Sequence, residues 1–130
     1  MASRTSLNAR NAALGAINTR LASCYARVYT GTQPATPETA ASGTLLAELR
    51  GSATFGTVSS GVLTANAITQ EDAALATGAP GYVRFLGSDG STVEMDGAAG
   101  AEVTFTGLVG GQIITGGPVT MSAFTYTLGM

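Results

Sequence analysis

Residues 7–29 read LNARNAALGAINTRLASCYARVY, and the spacing of the apolar residues changes within this stretch. The first four large apolar residues recur at intervals of seven, three and four: Leu7, Leu14, Ile17 and Leu21. On a helix these positions lie within an arc of about 80°. From Cys24 onward apolar and polar residues alternate, which is the period of a strand. We therefore expect a helix from Leu7 to Ala22, with Ser6 as its N-cap, followed by a β domain.

The helix divides the chain into a helical arm, residues 1–22, and a single β-sandwich domain, residues 23–130. Arg10 interrupts the apolar arc between Ile17 and Leu21. Its stem can lie on the arc with the guanidinium in water, or the arc can meet another subunit that supplies a carboxylate. The pattern leaves open whether the arm packs on its own body or on a neighbour. The polar residues Asn8, Asn11, Asn18 and Thr19 are expected on the opposite side of the helix.

Short alternating segments with frequent turns make up the rest of the chain. Strands are predicted over residues 24–29, 45–50, 54–57, 62–69, 82–86, 92–95, 103–106, 112–115 and 119–128, with 103–106 paired to 112–115. Pro34 and Pro37 mark a long surface loop over 31–42, and Asp89-Gly90 marks a hairpin. The last strand changes phase at Ser122-Ala123, which predicts a β-bulge. This pattern is typical of an antiparallel β-sandwich or jelly-roll-like fold.

The composition excludes most catalytic chemistry. The 130 residues include no His, no Lys and one cysteine, Cys24. Imidazole relays, histidine metal sites, P-loops, Schiff bases and internal disulfides are therefore ruled out. Charged residues form 11% of the chain, against about 25% in an ordinary soluble domain. We expect no enzyme, no cofactor and no metal.

The few charges are unevenly distributed. Residues 1–37 contain four arginines and no acid, whereas all eight acids lie in residues 38–130. Four arginines without lysine or interleaved aromatic residues do not predict nucleic-acid binding. No apolar run is long enough to cross a membrane. The mean hydropathy of +0.27 is high for such a chain and favours a protein–protein interface.

Three features invite a functional interpretation, and each has a simpler one. Three acids near the hairpin could hold Ca²⁺ but are better explained as solvated turn acids: Asp89, Glu94 and Asp96. The glycines of residues 107–111 and 116–117 resemble a phosphate cradle in number only, and turn formation explains them. The four tyrosines could form a sugar-binding platform but favour packing on strand faces: Tyr25, Tyr29, Tyr82 and Tyr126.

Four stretches of the chain resemble a group of short gene products of tailed bacteriophages and prophages. They are LNARNAALGAINTRLASCYARVYTGTQPA (7–35), SGTLLAEL (42–49), GVLTANAIT (61–69) and YVRFLGSDGSTVEMDG (82–97). The similarity covers nearly the whole chain and includes a Leu-Asn-rich helix, a strand ending in Tyr-x-Gly-Thr-Gln-Pro, and a Ser-Asp-Gly hairpin. It implies a virion structural protein and no active-site residue.

The resemblance leads us to expect a capsid decoration (cement) protein on the outer surface of the phage head, stabilising capsomer contacts after synthesis in the host cytoplasm. The alternative is a tail or baseplate component, including a carbohydrate-binding tip module. The expected partners are the major capsid protein and copies of the chain itself, with no nucleic acid, membrane or small-molecule substrate. The candidate interface residues are Arg4, Leu7, Arg10, Leu14, Pro34 and Pro37.

Overall fold

A computed structural model describes residues 4–100 and 102–127, and places one helix ahead of eight strands. The elements are α1 (Leu7–Arg20), β1 (Tyr25–Tyr29), β2 (Leu45–Arg50), β3 (Gly56–Ser59), β4 (Val62–Ala65), β5 (Tyr82–Leu86), β6 (Val93–Ala98), β7 (Val103–Thr106) and β8 (Thr120–Thr127). Sheet A has the order β2-β1-β5-β6 and sheet B the order β3-β4-β8-β7, with antiparallel pairing in both. The predicted antiparallel β-sandwich is confirmed.

The core lies between the two sheets and centres on three phenylalanines. The ring of Phe55 meets those of Phe85 and Phe124 edge-on, at 5.8 and 5.9 Å between centroids. Phe85 and Phe124 come from opposite sheets and their centroids are 4.6 Å apart. Such aromatic contacts add to the free energy gained by burying apolar area. Cys24 is also fully buried in this core, as its residue type predicted.

The first strand of the β3–β4 hairpin lies two residues further along the chain than predicted, and the second begins at Val62 as predicted. The strand expected over 54–57 is Gly56–Ser59, because Ser60 and Gly61 alone form the turn, with φ of 53° and 75°. A two-residue turn places Ser59 directly opposite Val62. The strand expected over 62–69 ends at Ala65, since the chain then crosses to sheet A, where Thr69 pairs with Arg50.

The segment 112–115 is not a strand, so its predicted pairing with 103–106 is wrong. Gly110 and Gly111, both with positive φ, turn the chain back so that Gln112 forms a single bridge with Val109, while Ile113 bridges Gly78. β7 pairs with β8 instead. The predicted bulge is confirmed, because Thr104 faces Ala123 while the next β7 residue faces Met121, which leaves Ser122 unpaired. Leu128, the predicted end of this strand, lies outside the described residues.

The helix packs on its own sandwich. Ser6 caps it as predicted, its hydroxyl accepting from the Ala9 N–H at 3.1 Å. The helix ends at Arg20 rather than Ala22, because Leu21 takes the C-cap position. Leu14 and Leu21 are fully buried in the shared core. In the described chain, no helix is long and apolar enough to cross a membrane.

Two asparagines face the body, contrary to the prediction that they point away from it. At 100° per residue both lie within about 40° of the Leu7 end of the apolar arc, so they share its side. The Asn18 amide donates to the Gly56 carbonyl at 3.0 Å and its oxygen accepts from the Gly56 N–H at 2.9 Å. Asn11 accepts from the Gly61 N–H at 2.9 Å. The Asn18 bonds occupy the outer edge of β3 at Gly56, and the Asn11 bond lies at the turn that follows β3.

Other parts of the chain bond to the remaining sheet edges. The Thr69 and Leu75 N–H groups donate to carbonyls of β2, at 2.8 Å each. Glu102 bonds to Ala98 of β6 through both its backbone and its side chain, and the Gly100 N–H donates to Val103 of β7 at 2.7 Å. Edges engaged in this way are poor templates for an added strand. Contacts with partners are therefore expected on faces and loops.

Candidate interaction surface

The outer face of sheet A carries a row of four charges, one on each strand. Arg27 lies opposite Glu48 on one side and Arg84 on the other, and Arg84 lies opposite Asp96. Arg27 Nε donates to Glu48 at 2.7 Å. Arg84 forms a two-bond pair with Asp96 at 2.8 and 3.0 Å. The row is electrically balanced without any partner.

The Arg84–Asp96 pair is shielded from water. The side chains are 5% and 0% exposed, against 32% for each member of the Arg27–Glu48 pair. Hydrogen bonding to Asp96 raises the pKa of Arg84, and hydrogen bonding to Glu48 raises the pKa of Arg27. Both guanidinium groups therefore stay charged, and the buried pair depends on both partners being present.

Two loops cover this face from its two ends. The Tyr82 hydroxyl donates to the Ser42 carbonyl at 2.8 Å and accepts from its N–H at 3.0 Å, which ties down the loop containing Pro34 and Pro37. Tyr82 also stacks on Tyr29, at 5.2 Å between centroids. At the other end the 87–92 hairpin folds back so that the Gly90 carbonyl accepts from Arg27 at 3.4 Å, and a side chain at position 90 would meet the Tyr25 ring.

The tyrosines do not form one platform. Three lie on the outer face of sheet A, where Tyr82 is fully buried and the Arg50 guanidinium covers Tyr25 at 3.9 Å from the ring centroid. Tyr126 belongs to sheet B and packs against the core on its inner face. This arrangement matches the strand-face packing favoured by the sequence.

The three acids near the hairpin each have a separate partner. Asp89 accepts from the Thr92 hydroxyl and from the Ser91 and Thr92 N–H groups, the last two at 3.0 Å, and these bonds lower the pKa of Asp89. Glu94 pairs with Arg20 at 2.6 Å, and Asp96 belongs to the buried pair described above. Within residues 4–100 and 102–127 no group of three His, Cys, Asp or Glu residues could hold a metal ion.

The predicted interface residues differ in how far they are buried. Arg4 is exposed, and Leu7 is 43% exposed. Leu14 is fully buried in the core and is not available to a partner, so this candidate is corrected. Arg10 is half-buried beside Gly61, and its Nε is buried with no acceptor among the described residues. Pro34 and Pro37 are half-buried in the loop over sheet A.

The outer face of sheet B, which we call the hydroxyl face, was not predicted from the sequence. Thr57, Thr64 and Thr125 stand side by side across β3, β4 and β8. The exposed residues of the face are Thr57, Ser59, Thr64, Thr104, Thr106, Ser122, Ala123, Thr125 and Thr127. None of the residues in β3, β4, β7 or β8 is charged, whereas the sheet A strands carry six charges.

A groove adjoins the hydroxyl face at the β7 edge. Its volume is about 350 Å³, and its apolar lining includes Pro80, Val103, Phe105 and Leu108. Thr104 lines the groove and is also an exposed residue of the hydroxyl face, so the two surfaces are continuous. None of the described residues that line the groove is charged, so the groove and the hydroxyl face form one uncharged surface.

A local signal for this face exists in the sequence. Thr104 and Thr106 alternate with apolar residues, as do Thr125 and Thr127. Alternation shows that each strand has a hydroxyl side. Only the pairing of strands distant in sequence shows that these sides form one surface.

Comparisons with family models, with curated protein sequences and with solved structures each found no match to the chain. The resemblance to phage structural proteins therefore stays a prediction.

Proposed function

We propose that this chain is a non-catalytic structural subunit of a tailed-phage particle, a decoration protein bound to the outside of the head. The observation that carries the proposal is the hydroxyl face, where four strands present exposed Thr and Ser side chains and no charge. The water-facing side of an antiparallel sheet is ordinarily polar, with charged side chains as well as hydroxyls. A face without charges is suited to close contact with another uncharged surface, because no ion must be stripped of water.

The rest of the molecule supports an assembly role. The four charges in the row on the outer face of sheet A form two ion pairs, and several backbone groups at the sheet edges are bonded within the chain. The sandwich is therefore a closed body that binds without rearranging its strands. A subunit that bridges capsomers needs such a rigid body with a matching surface, and it needs no titrating side chain.

Low-dose electron microscopy of the phage particle tests this proposal. Particles with the intact gene should show extra density on the capsid faces, and particles from a deletion strain should lack it. Restoring the chain from a plasmid should restore the density. Density that disappears from the tail or baseplate instead would contradict the decoration role and favour the alternative location.

A further inference from the structure

We propose that the hydroxyl face and the adjoining groove form one docking surface, and that its partner is an uncharged protein surface repeated on the particle shell. This inference rests on the proposed function and adds to it the attachment surface and the chemistry of the partner. Three observations carry it: the absence of charge from the sheet B strands, the apolar groove at their edge, and the size of the face.

The charge pattern selects the class of partner. Nucleic acid and anionic membrane surfaces require Lys or Arg at the contact, and none occurs on the sheet B strands. A sugar platform relies on exposed aromatic rings, and Tyr126 of this sheet points into the core. An uncharged protein surface needs neither feature, since hydroxyls exchange hydrogen bonds with polar side chains and their methyl groups contact apolar ones.

The groove provides an anchoring point for such a partner. Protein interfaces concentrate their binding energy where an apolar side chain enters a pocket. Val103, Phe105 and Leu108 line the groove, and Thr104 connects it to the hydroxyl face. A partner lying on the face can therefore place one apolar side chain in the groove while its polar groups meet the hydroxyls.

The size of the face distinguishes a repeated shell from a second free copy of the chain. Strands spaced about 4.8 Å apart and rising about 3.3 Å per residue give a face of roughly 250–500 Å². A stable interface between two proteins in solution buries about 800 Å² on each partner. The face alone is too small for a stable dimer, but it suffices where other contacts hold neighbouring subunits in place.

The test is a binding assay with three variants that each add one positive charge to an exposed position. Thr64→Lys changes the middle of the hydroxyl face, Thr32→Lys changes the Pro34 loop, and Ala16→Lys changes the exposed side of α1. Shells lacking the chain are prepared from a deletion strain, mixed with each purified full-length protein, and sedimented. Circular dichroism and thermal melts of each protein confirm that it is folded.

We expect Thr64→Lys to weaken shell binding about tenfold or more, because its ammonium group must lose water without gaining a partner. The other two variants should bind as the wild type does. Equal binding by wild type and Thr64→Lys would overturn this inference and leave the decoration role intact. Loss of binding in Thr32→Lys or Ala16→Lys alone would also overturn it, moving the interface to the loop or the helix. A wild-type chain that does not bind shells at all would refute both proposals.

Discussion

The outer faces of the two sheets are built in opposite ways. Sheet A carries a row of arginines and acids that pair with one another, and two loops fold over it until Tyr82 and Leu86 are almost inaccessible. Sheet B carries hydroxyls, has no charge on its strands, and leaves nearly every outward residue exposed. Both faces belong to four-stranded antiparallel sheets of similar length.

The difference shows how a chain with few charges distributes them. Arg27 and Arg84 of sheet A bond to groups of the same chain, and these bonds connect neighbouring strands and the 87–92 hairpin. The outward side chains of sheet B are mainly Thr and Ser, which can contact either water or an uncharged partner. Substitutions on the covered surfaces should therefore destabilise the fold, whereas substitutions on the hydroxyl face should affect only binding.

The largest effect is expected where the helix covers the core. Leu14→Asp places a carboxylate at a fully buried position with no partner, which costs several kcal/mol and should abolish the cooperative unfolding transition. Leu7→Asp is the matched control, because Leu7 is on the same helix and 43% exposed. Circular dichroism of both proteins during thermal melting makes the comparison. A folded Leu14→Asp protein would show that the arm is dispensable for the body.

The next largest effect is expected at the buried charge pair of sheet A. Arg84→Ala leaves the Asp96 carboxylate buried and unpaired, which should lower the free energy of unfolding by about 3–5 kcal/mol. Urea denaturation measures the change. The double variant Arg84→Met/Asp96→Leu removes both charges and should recover much of the loss. If Arg84→Ala alone lowers the free energy of unfolding by less than about 1 kcal/mol, water reaches the Asp96 carboxylate and the pair is not shielded.

A smaller effect is expected where Tyr82 holds the loop over sheet A. Tyr82→Phe removes two hydrogen bonds to Ser42 and should cost about 1 kcal/mol. Amide hydrogen exchange in residues 36–44 should accelerate. Tyr126→Phe serves as the control, since no hydrogen bond to the Tyr126 hydroxyl occurs among the described residues. Unchanged exchange in both variants would mean that other contacts hold the loop.

The fully buried Cys24 gives a pH test of the packing behind sheet A. Burial raises the pKa of its thiol to about 11, from an ordinary 9.0. At pH 8 the folded protein should react with a thiol reagent about a hundredfold more slowly than the unfolded chain. Because the unfolded thiol ionises first, this group's contribution to stability is present below pH 9 and is lost as the pH rises towards 11. The Cys24→Ala variant should lose less stability over that interval.

The smallest effect on stability is expected on the hydroxyl face. Thr125 is exposed at the middle of this face, so Thr125→Lys should change the free energy of unfolding by no more than about 0.5 kcal/mol. The same new side chain on the outer face of sheet A, in Leu86→Lys, should destabilise strongly because Leu86 is 4% exposed. Similar losses in the two variants would remove the contrast between the faces.

The sequence predicted those features that depend on neighbouring residues. The helix cap at Ser6, the Asp89-Gly90 hairpin and the bulge at Ser122 all follow from local patterns, and the structure confirms them. The prediction for Asn18 was wrong for a local reason, since the helical angle alone places this residue on the side of the apolar arc. Another failure involves contacts between distant residues, because β7 pairs with β8 and not with segment 112–115.

The candidate surface was missed for the same reason. Alternating threonines are visible in single strands, but Thr57, Thr64 and Thr125 become neighbours only through pairing across sheet B. The arginine–carboxylate row of sheet A could not be predicted from the sequence either. Arg27 and Arg84 are 57 residues apart in the sequence and lie directly opposite each other only when β1 pairs with β5.

A reconstruction of the decorated particle, at a resolution that separates the two sheets, would show which surface attaches the sandwich to the shell. We expect the sandwich to lie on the capsid with the hydroxyl face and its groove against the shell, and with the loop-covered face of sheet A towards the solvent. A sandwich seated on the shell through the outer face of sheet A or through α1, with Thr64 and Thr125 exposed to solvent, would contradict it.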